Sequence, residues 1–84
     1  MDHFVYMIKT INSKVNKTYV GYTYDLKKRL NKHNTNKGAK STKGHKWKII
    51  YKKRFMSKSK AMSFEYYLKK NRKLKKKILE NLYK

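Results

Sequence analysis

Four side chains in this 84-residue chain carry a negative charge, Asp2, Asp25, Glu65 and Glu80, against 25 lysines and arginines. Hydrolysis of a phosphodiester near neutral pH usually enlists a metal, and a hard ion needs carboxylate oxygen. Asp2 stands at a terminus that is expected to fray. Asp25 is placed to complement a helix dipole, and Glu80 lies in a lysine-rich final helix. Glu65 falls beside Phe64 and Leu68 on a helix with one apolar face, at the margin of a core. It reads either as a carboxylate paired with one of many lysines or as a metal ligand. If a metal is bound, so few acids argue for one ion rather than two.

Tyr6 and Tyr19 fall mid-strand on the two arms of a hairpin. Tyrosines so placed form a cross-strand packing pair, or turn their hydroxyls into a shared site. A phenol is a poor base alone, and a metal ion or nearby cations favour its ionised form. Arg29 and His33 are four residues apart, so they project from one side of a helix. Arginine grips phosphate through two parallel hydrogen bonds with a charge that does not titrate away. The alternatives are a solvated surface charge for Arg29, like Lys27 and Lys28 beside it, and a plain helix-end histidine for His33.

The elements that must position these residues can be read along the chain. Residues 4–8 and 18–22 are rich in β-branched and aromatic side chains, and the short polar turn at 12–16 makes them an antiparallel hairpin. A helix follows, with Thr23 as its N-cap and Asp25 in its first turn. Leu26, Leu30 and His33 recur at i, i+4, i+7 on one face, and residues 34–36 end it. Residues 35–45 carry no large apolar side chain and two glycines, and read as a loop. In residues 47–55, Trp47, Ile49, Tyr51 and Phe55 share one parity and Ile50 the other. This predicts a third strand, central because both its faces hold apolar residues. Ser57 or Ser59 caps a second helix with Ala61, Phe64 and Leu68 on its buried face. Leu74, Ile78 and Leu82 define a third, and the break between the two falls near Asn71. The expectation is a single α/β (α+β) domain over residues 1–84: a small mixed three-stranded sheet flanked by helices, in the order ββαβαα.

Composition says what such a domain would meet. The formal net charge is +21, hydrophobic residues make up 38%, and there are no cysteines. Disulfides and thiolate metal sites are therefore excluded. Self-repulsion at that charge works against compactness, so the chain reads as a polyanion binder, with nucleic acid first and an anionic membrane surface second. No segment approaches the roughly 20 apolar residues of a membrane span, and the first ten residues do not read as a signal peptide. A cytoplasmic location is expected, or a nuclear one in a eukaryotic host. Lys40, Thr42 and Lys43 in the loop and Lys69 and Lys70 in the basic runs are the candidate DNA contacts. They would act mainly through phosphate, with little sequence information.

The ordered set is specific where each piece is weak. Phe4-Val5-Tyr6, Tyr19-Val20-Gly21, Asp25-Leu26, Arg29-Leu30, His33-Asn34, Trp47 to Tyr51, Ala61 to Glu65 and Leu68-Lys69-Lys70 together resemble the GIY-YIG nuclease family, in its small stand-alone form. The resemblance implies a DNA endonuclease that uses one Mg²⁺ or Mn²⁺ and no small-molecule cofactor, with structured or branched DNA as a plausible substrate by resemblance to repair members. It implies catalytic roles for five residues. Tyr6 would orient water or phosphate, and Tyr19 would be general base or would polarise the attacking water. Arg29 would stabilise charge in the transition state, His33 would assist the base or the phosphate, and Glu65 would be the sole protein ligand of the metal. Gly21 closes the second motif, where a missing side chain permits close approach. The chain departs from the family in the first motif, which lacks its Gly. Tyr22 also replaces the basic residue that the repair-incision members carry. The late Asn of larger members corresponds to Asn71 or Asn81. The other readings are a non-catalytic nucleic-acid-binding protein on the same fold and a membrane-surface protein using its basic last helix. The sequence does not give the oligomeric state.

Overall fold

A computed structural model of the chain describes residues 2–11 and 14–82. The elements are β1 (His3–Ile11), β2 (Thr18–Thr23), α1 (Leu26–Asn34), β3 (Lys46–Phe55), α2 (Lys58–Lys70) and α3 (Arg72–Asn81), with one 3₁₀ turn (Lys40–Thr42) between α1 and β3. The expected order ββαβαα holds. Residues 12 and 13 of the expected polar turn lie outside the described residues. At the base of that turn, Thr10 Oγ1 donates to the Val15 carbonyl at 2.8 Å and accepts from the Lys17 amide at 3.1 Å.

The sheet has the order β2-β1-β3, so β1 is central and β3 is an edge strand. That corrects the expected centre. The four consecutive buried residues Val5, Tyr6, Met7 and Ile8 are the signature of a strand covered on both faces. β3 looked two-faced for another reason: its register with β1 shifts between Met7 and Ile8, where Met7 pairs with Tyr51 but Ile8 with Ile49. Ile50 is the extra residue of a bulge, and a bulge resets the alternation of side chains beyond it. Trp47 and Ile49 therefore pack on one face of the sheet, and Tyr51 and Phe55 on the other.

The sheet is antiparallel throughout rather than mixed. A β-α-β connection suggests parallel neighbours. Here α1 carries the chain from β2 to β3 across β1, so the two parallel strands never touch.

Each face has its own core. Leu26 and Leu30 of α1 pack with Tyr6, Ile8, Tyr19, Trp47 and Ile49. Ala61, Phe64 and Leu68 of α2, with Leu74, Ile78 and Leu79 of α3, pack with Val5, Met7 and Val20. Leu74 and Ile78 of the expected α3 stripe are thus spent on the core, while Leu82 is exposed at the end of the helix, which leaves little apolar surface for a membrane-surface helix. Among the described residues no helix is long and apolar enough to cross a membrane.

Capping follows the sequence with one change. Asp25 itself caps α1, accepting from the Lys28 amide at 3.1 Å, while the Thr23 hydroxyl accepts from the Asp25 amide at 3.0 Å. Ser57 caps α2. Asn71 ends α2 and caps α3, accepting from the Leu74 amide at 3.0 Å. Its amide therefore has a structural task, and Asn81 lies exposed at the end of α3.

Candidate active site

The site is assembled on the α1 face of the sheet. Tyr6 pairs across the ladder with Gly21. A Cβ on Gly21 would overlap the Tyr6 hydroxyl and lie 2.6 Å from Cζ of Tyr6 and 3.0 Å from Cε2 of Tyr19. The glycine is what lets the Tyr6 phenol cross β2, so what approaches closely here is Tyr6 itself. Gly21→Ala should force both rings aside and cost about 1–3 kcal/mol, seen as a lower melting temperature. An unchanged melting temperature would show that the rings are not so confined.

α1 delivers Arg29 and His33, one turn apart, over the two tyrosines. His33 has no exposed surface, and its ring centroid lies 5.8 Å from that of Tyr6 and 5.1 Å from that of Tyr19. A chain of hydrogen bonds runs through it. The Thr42 hydroxyl donates to the Ala39 carbonyl at 2.8 Å. Its oxygen therefore accepts from Nδ1–H of His33 at 2.9 Å. Nε2 of His33 is left as an acceptor for the Tyr6 hydroxyl at 2.7 Å, and Nε of Arg29 donates to the Tyr6 oxygen at 3.3 Å. This order assigns the His33 tautomer from its partners.

Electrostatics agree with that order. Burial, and second the charge of Arg29, pull the His33 pKa down to about 4, so the imidazole is neutral. Burial pushes the Tyr6 phenol up to about 12. The Arg29 bond and charge oppose that rise, and Tyr19 and Glu65 add to it. Arg29 is held charged above all by its bond to Tyr6.

A stability prediction follows from His33. Unfolded, it takes up a proton near pH 6.5; folded, only near pH 4. Between those values the unfolded state binds more protons, so stability falls as pH drops from about 6.5 to about 4. The loss should be about 3 kcal/mol. Thermal melts across that window should show it in the wild type, and His33→Gln should keep only the slope due to carboxylates. Parallel curves for the two proteins would refute it.

The connection from α1 to β3 is pinned to this chain. Gly38 lies against the imidazole, where a Cβ would stand 2.5 Å from Nδ1 of His33. The Asn34 amide brackets the Trp47 backbone, accepting from its N–H at 2.6 Å and donating to its carbonyl at 3.2 Å. The Trp47 indole donates to the Thr42 carbonyl at 3.0 Å. Thr42 is fully buried. Its expected role as a DNA contact is corrected, because its hydroxyl faces His33 and not solvent. Lys40 and Lys43 are exposed on the same loop. The sequence does not single out Gly38, and it foretells neither the Asn34 bonds to Trp47 nor this use of Thr42. The available signal was a glycine and a hydroxyl in a loop that follows a histidine.

Beside Arg29 an open crevice is lined by Tyr22, Tyr24, Asp25, Lys28, Arg29 and Lys32 among others. Nζ of Lys58 lies 5.9 Å from the Tyr22 ring centroid. The Tyr22 hydroxyl bonds Nδ1 of His3 at 2.7 Å.

Glu65 is largely buried at its side chain and pairs with Lys69 at 3.4 Å. Its charge is felt at Tyr6. The other acids are elsewhere: Asp2 pairs with Arg54 at 3.2 Å, Asp25 caps α1, and Glu80 is exposed on α3. Among the described residues no group of three His, Cys, Asp or Glu side chains converges to enclose a metal. A single carboxylate fits Mg²⁺, which keeps several waters and shares its shell with substrate phosphates. It does not fit an ion that needs a full cage of protein ligands.

Two tyrosines, an arginine and a histidine stand on the α1 face of a ββαβαα frame, and a lone glutamate stands on α2, the helix packed on the opposite face. The family model of the GIY-YIG catalytic domain matches residues 2–78, and the chain belongs to that family. Its relatives include the UPF0213 protein YazA of Bacillus subtilis, 44% identical over 92% of this chain and 76% of the relative. A UPF0213 protein of Streptococcus pneumoniae is 42% identical over 86% of this chain and 73% of the relative. The solution NMR structure of the UPF0213 protein BH0048 from Bacillus halodurans superposes with a TM-score of 0.54 at 37% identity, over 98% of this chain and 85% of that one.

Proposed function

We propose that this chain is an endonuclease that hydrolyses DNA phosphodiester bonds with one Mg²⁺ or Mn²⁺. The observation that carries the reading is the division of labour among the four side chains on the α1 face. Both nitrogens of His33 are engaged and the ring is buried. The Tyr6 hydroxyl donates a hydrogen bond to His33 and accepts one from Arg29. Neither is placed to take a proton from water. Tyr19 is half-buried beside them, and its phenolate would be the base left to take that proton, becoming the neutral phenol as the hydroxide attacks phosphorus. Arg29, anchored at Nε by Tyr6 and also interacting with Tyr19, would turn its guanidinium to the phosphate and stabilise the added charge. Tyr6 and His33 hold Arg29 in place. Glu65 would hold the metal ion. When bound, the ion supplies positive charge to the phosphate and its leaving oxygen.

The net charge of +21 supports a nucleic-acid partner. Lys40, Lys43, Lys69 and Lys70 are proposed phosphate contacts. Structured or branched DNA is the proposed substrate, and a cytoplasmic location is part of the same reading. Linear, nicked, flap and four-way-junction DNA incubated with Mg²⁺, Mn²⁺ or EDTA tests it. Cleavage is expected with either metal and not with EDTA. Tight binding without cleavage in any condition would favour a non-catalytic nucleic-acid-binding protein on the same fold.

A further inference from the structure

α2 presents a second feature that the reaction does not use. Tyr66 and Tyr67 are 62% and 54% exposed, a large aromatic area to leave in water on so small a domain. They are consecutive on the helix, so their rings diverge around its axis. Lys70 follows them by four and three residues and so stands between them. Its Nζ lies 5.0 Å from the Tyr66 ring centroid. The two rings, Lys70, Asn71, Arg72 and Lys73 line one shallow crevice where α2 turns into α3.

The cations of that crevice are placed at a cost. Arg72 and Lys73 occupy the first turn of α3, which has no acidic residue, at the end where the helix dipole favours negative charge. Among the described residues no carboxylate pairs with Lys70, Arg72 or Lys73. A bound anion would reverse that cost. Anion-seeking charge alternating with exposed π faces is the pattern of single-strand recognition, in which cations track the phosphates and rings stack on bases. A duplex hides its base faces and offers only the phosphates. A second copy of this chain is a poor occupant, since each carries +21.

We infer that Tyr66 and Tyr67 form a stacking platform for the bases of an unpaired DNA strand, with Lys70, Arg72 and Lys73 on its phosphates. The platform adjoins the proposed metal ligand: Tyr66 follows Glu65 directly on α2, and Lys69 pairs with Glu65 while Lys70 covers Tyr66. A strand leaving the cleavage site past Glu65 meets Tyr66 next. The inference rests on the nuclease reading for its choice of DNA, but not for its test.

The test is equilibrium binding by fluorescence anisotropy in EDTA. It compares an oligothymidylate of about a dozen nucleotides with an abasic strand of the same phosphate count. The wild type should prefer the oligothymidylate by about 10-fold or more. Tyr66→Ala/Tyr67→Ala should lose that preference and keep its affinity for the abasic strand. Tyr66→Phe/Tyr67→Phe should retain the preference. Equal affinities in the wild type, or a preference that survives the double alanine change, would overturn the platform. So would a glutamate-rich peptide whose binding depends on the two rings as strongly. EDTA silences cleavage, so a chain that passes this test yet never cuts DNA refutes the nuclease reading alone.

Discussion

Tyr19→Phe is expected to cleave DNA about 10²–10⁴-fold more slowly than the wild type, the range for removal of a general base. The substitution deletes one hydroxyl and keeps the ring. Tyr19 packs through that ring with Tyr6, Ile8 and His33, so the folded state should be nearly unaffected. Tyr6→Phe separates proton transfer from positioning. Its hydroxyl bonds His33 and Arg29, so its loss leaves the buried Nε2 of His33 without a partner and frees Arg29. The Tyr6 variant should lose stability, by about 1–3 kcal/mol, with a smaller fall in rate than Tyr19→Phe. Single-turnover cleavage rates and thermal melts of the two variants give the comparison. Near-normal cleavage by a folded Tyr19→Phe would remove Tyr19 from the chemistry.

The parts of this arrangement legible in the sequence are those set by local periodicity. Leu26, Leu30 and His33 at i, i+4, i+7 placed α1 on the sheet with its histidine inward, and the structure buries His33 completely. Asn71 between two helical patterns marked a break that the backbone makes there. What was not legible depended on non-local geometry. Four buried residues in a row in β1 announce a central strand only once it is known that both faces are covered. The bulge at Ile50 mimicked that signal in β3. Antiparallel pairing throughout required knowing that α1 crosses β1. Thr23 and Asp25 are both good caps by type, and only the backbone at Asp25 decided between them. Thr42 looked like a surface loop residue because residues 35–45 hold no large apolar side chain. Its burial comes from polar contacts with His33 and Trp47, which leave no hydrophobic pattern to read.

Glu65→Gln should abolish cleavage, with a fall of about 10³-fold or more, the scale of losing a metal's several kcal/mol of charge stabilisation. The argument is one of scarcity. Asp2 pairs with Arg54 and Glu80 is exposed on α3, while Asp25 lines the crevice beside Arg29 but has Oδ1 committed to capping α1. The change keeps the shape of the side chain and removes its charge. Stability should move little, because Gln fills the same largely buried space and the ion pair it removes is a single 3.4 Å contact to a half-exposed lysine. DNA binding in EDTA should persist or strengthen slightly, since one negative charge is lost from a strongly basic protein. Lys69→Met sharpens the test. In the structure its ammonium pairs with one oxygen of the carboxylate that the metal would need, so removing it should lower the Mg²⁺ concentration for half-maximal cleavage, measured at saturating DNA because Lys69 is also a proposed phosphate contact. A purely structural Glu65–Lys69 pair makes the opposite forecast: both variants would lose a little stability, keep the wild-type rate, and leave the Mg²⁺ dependence where it was.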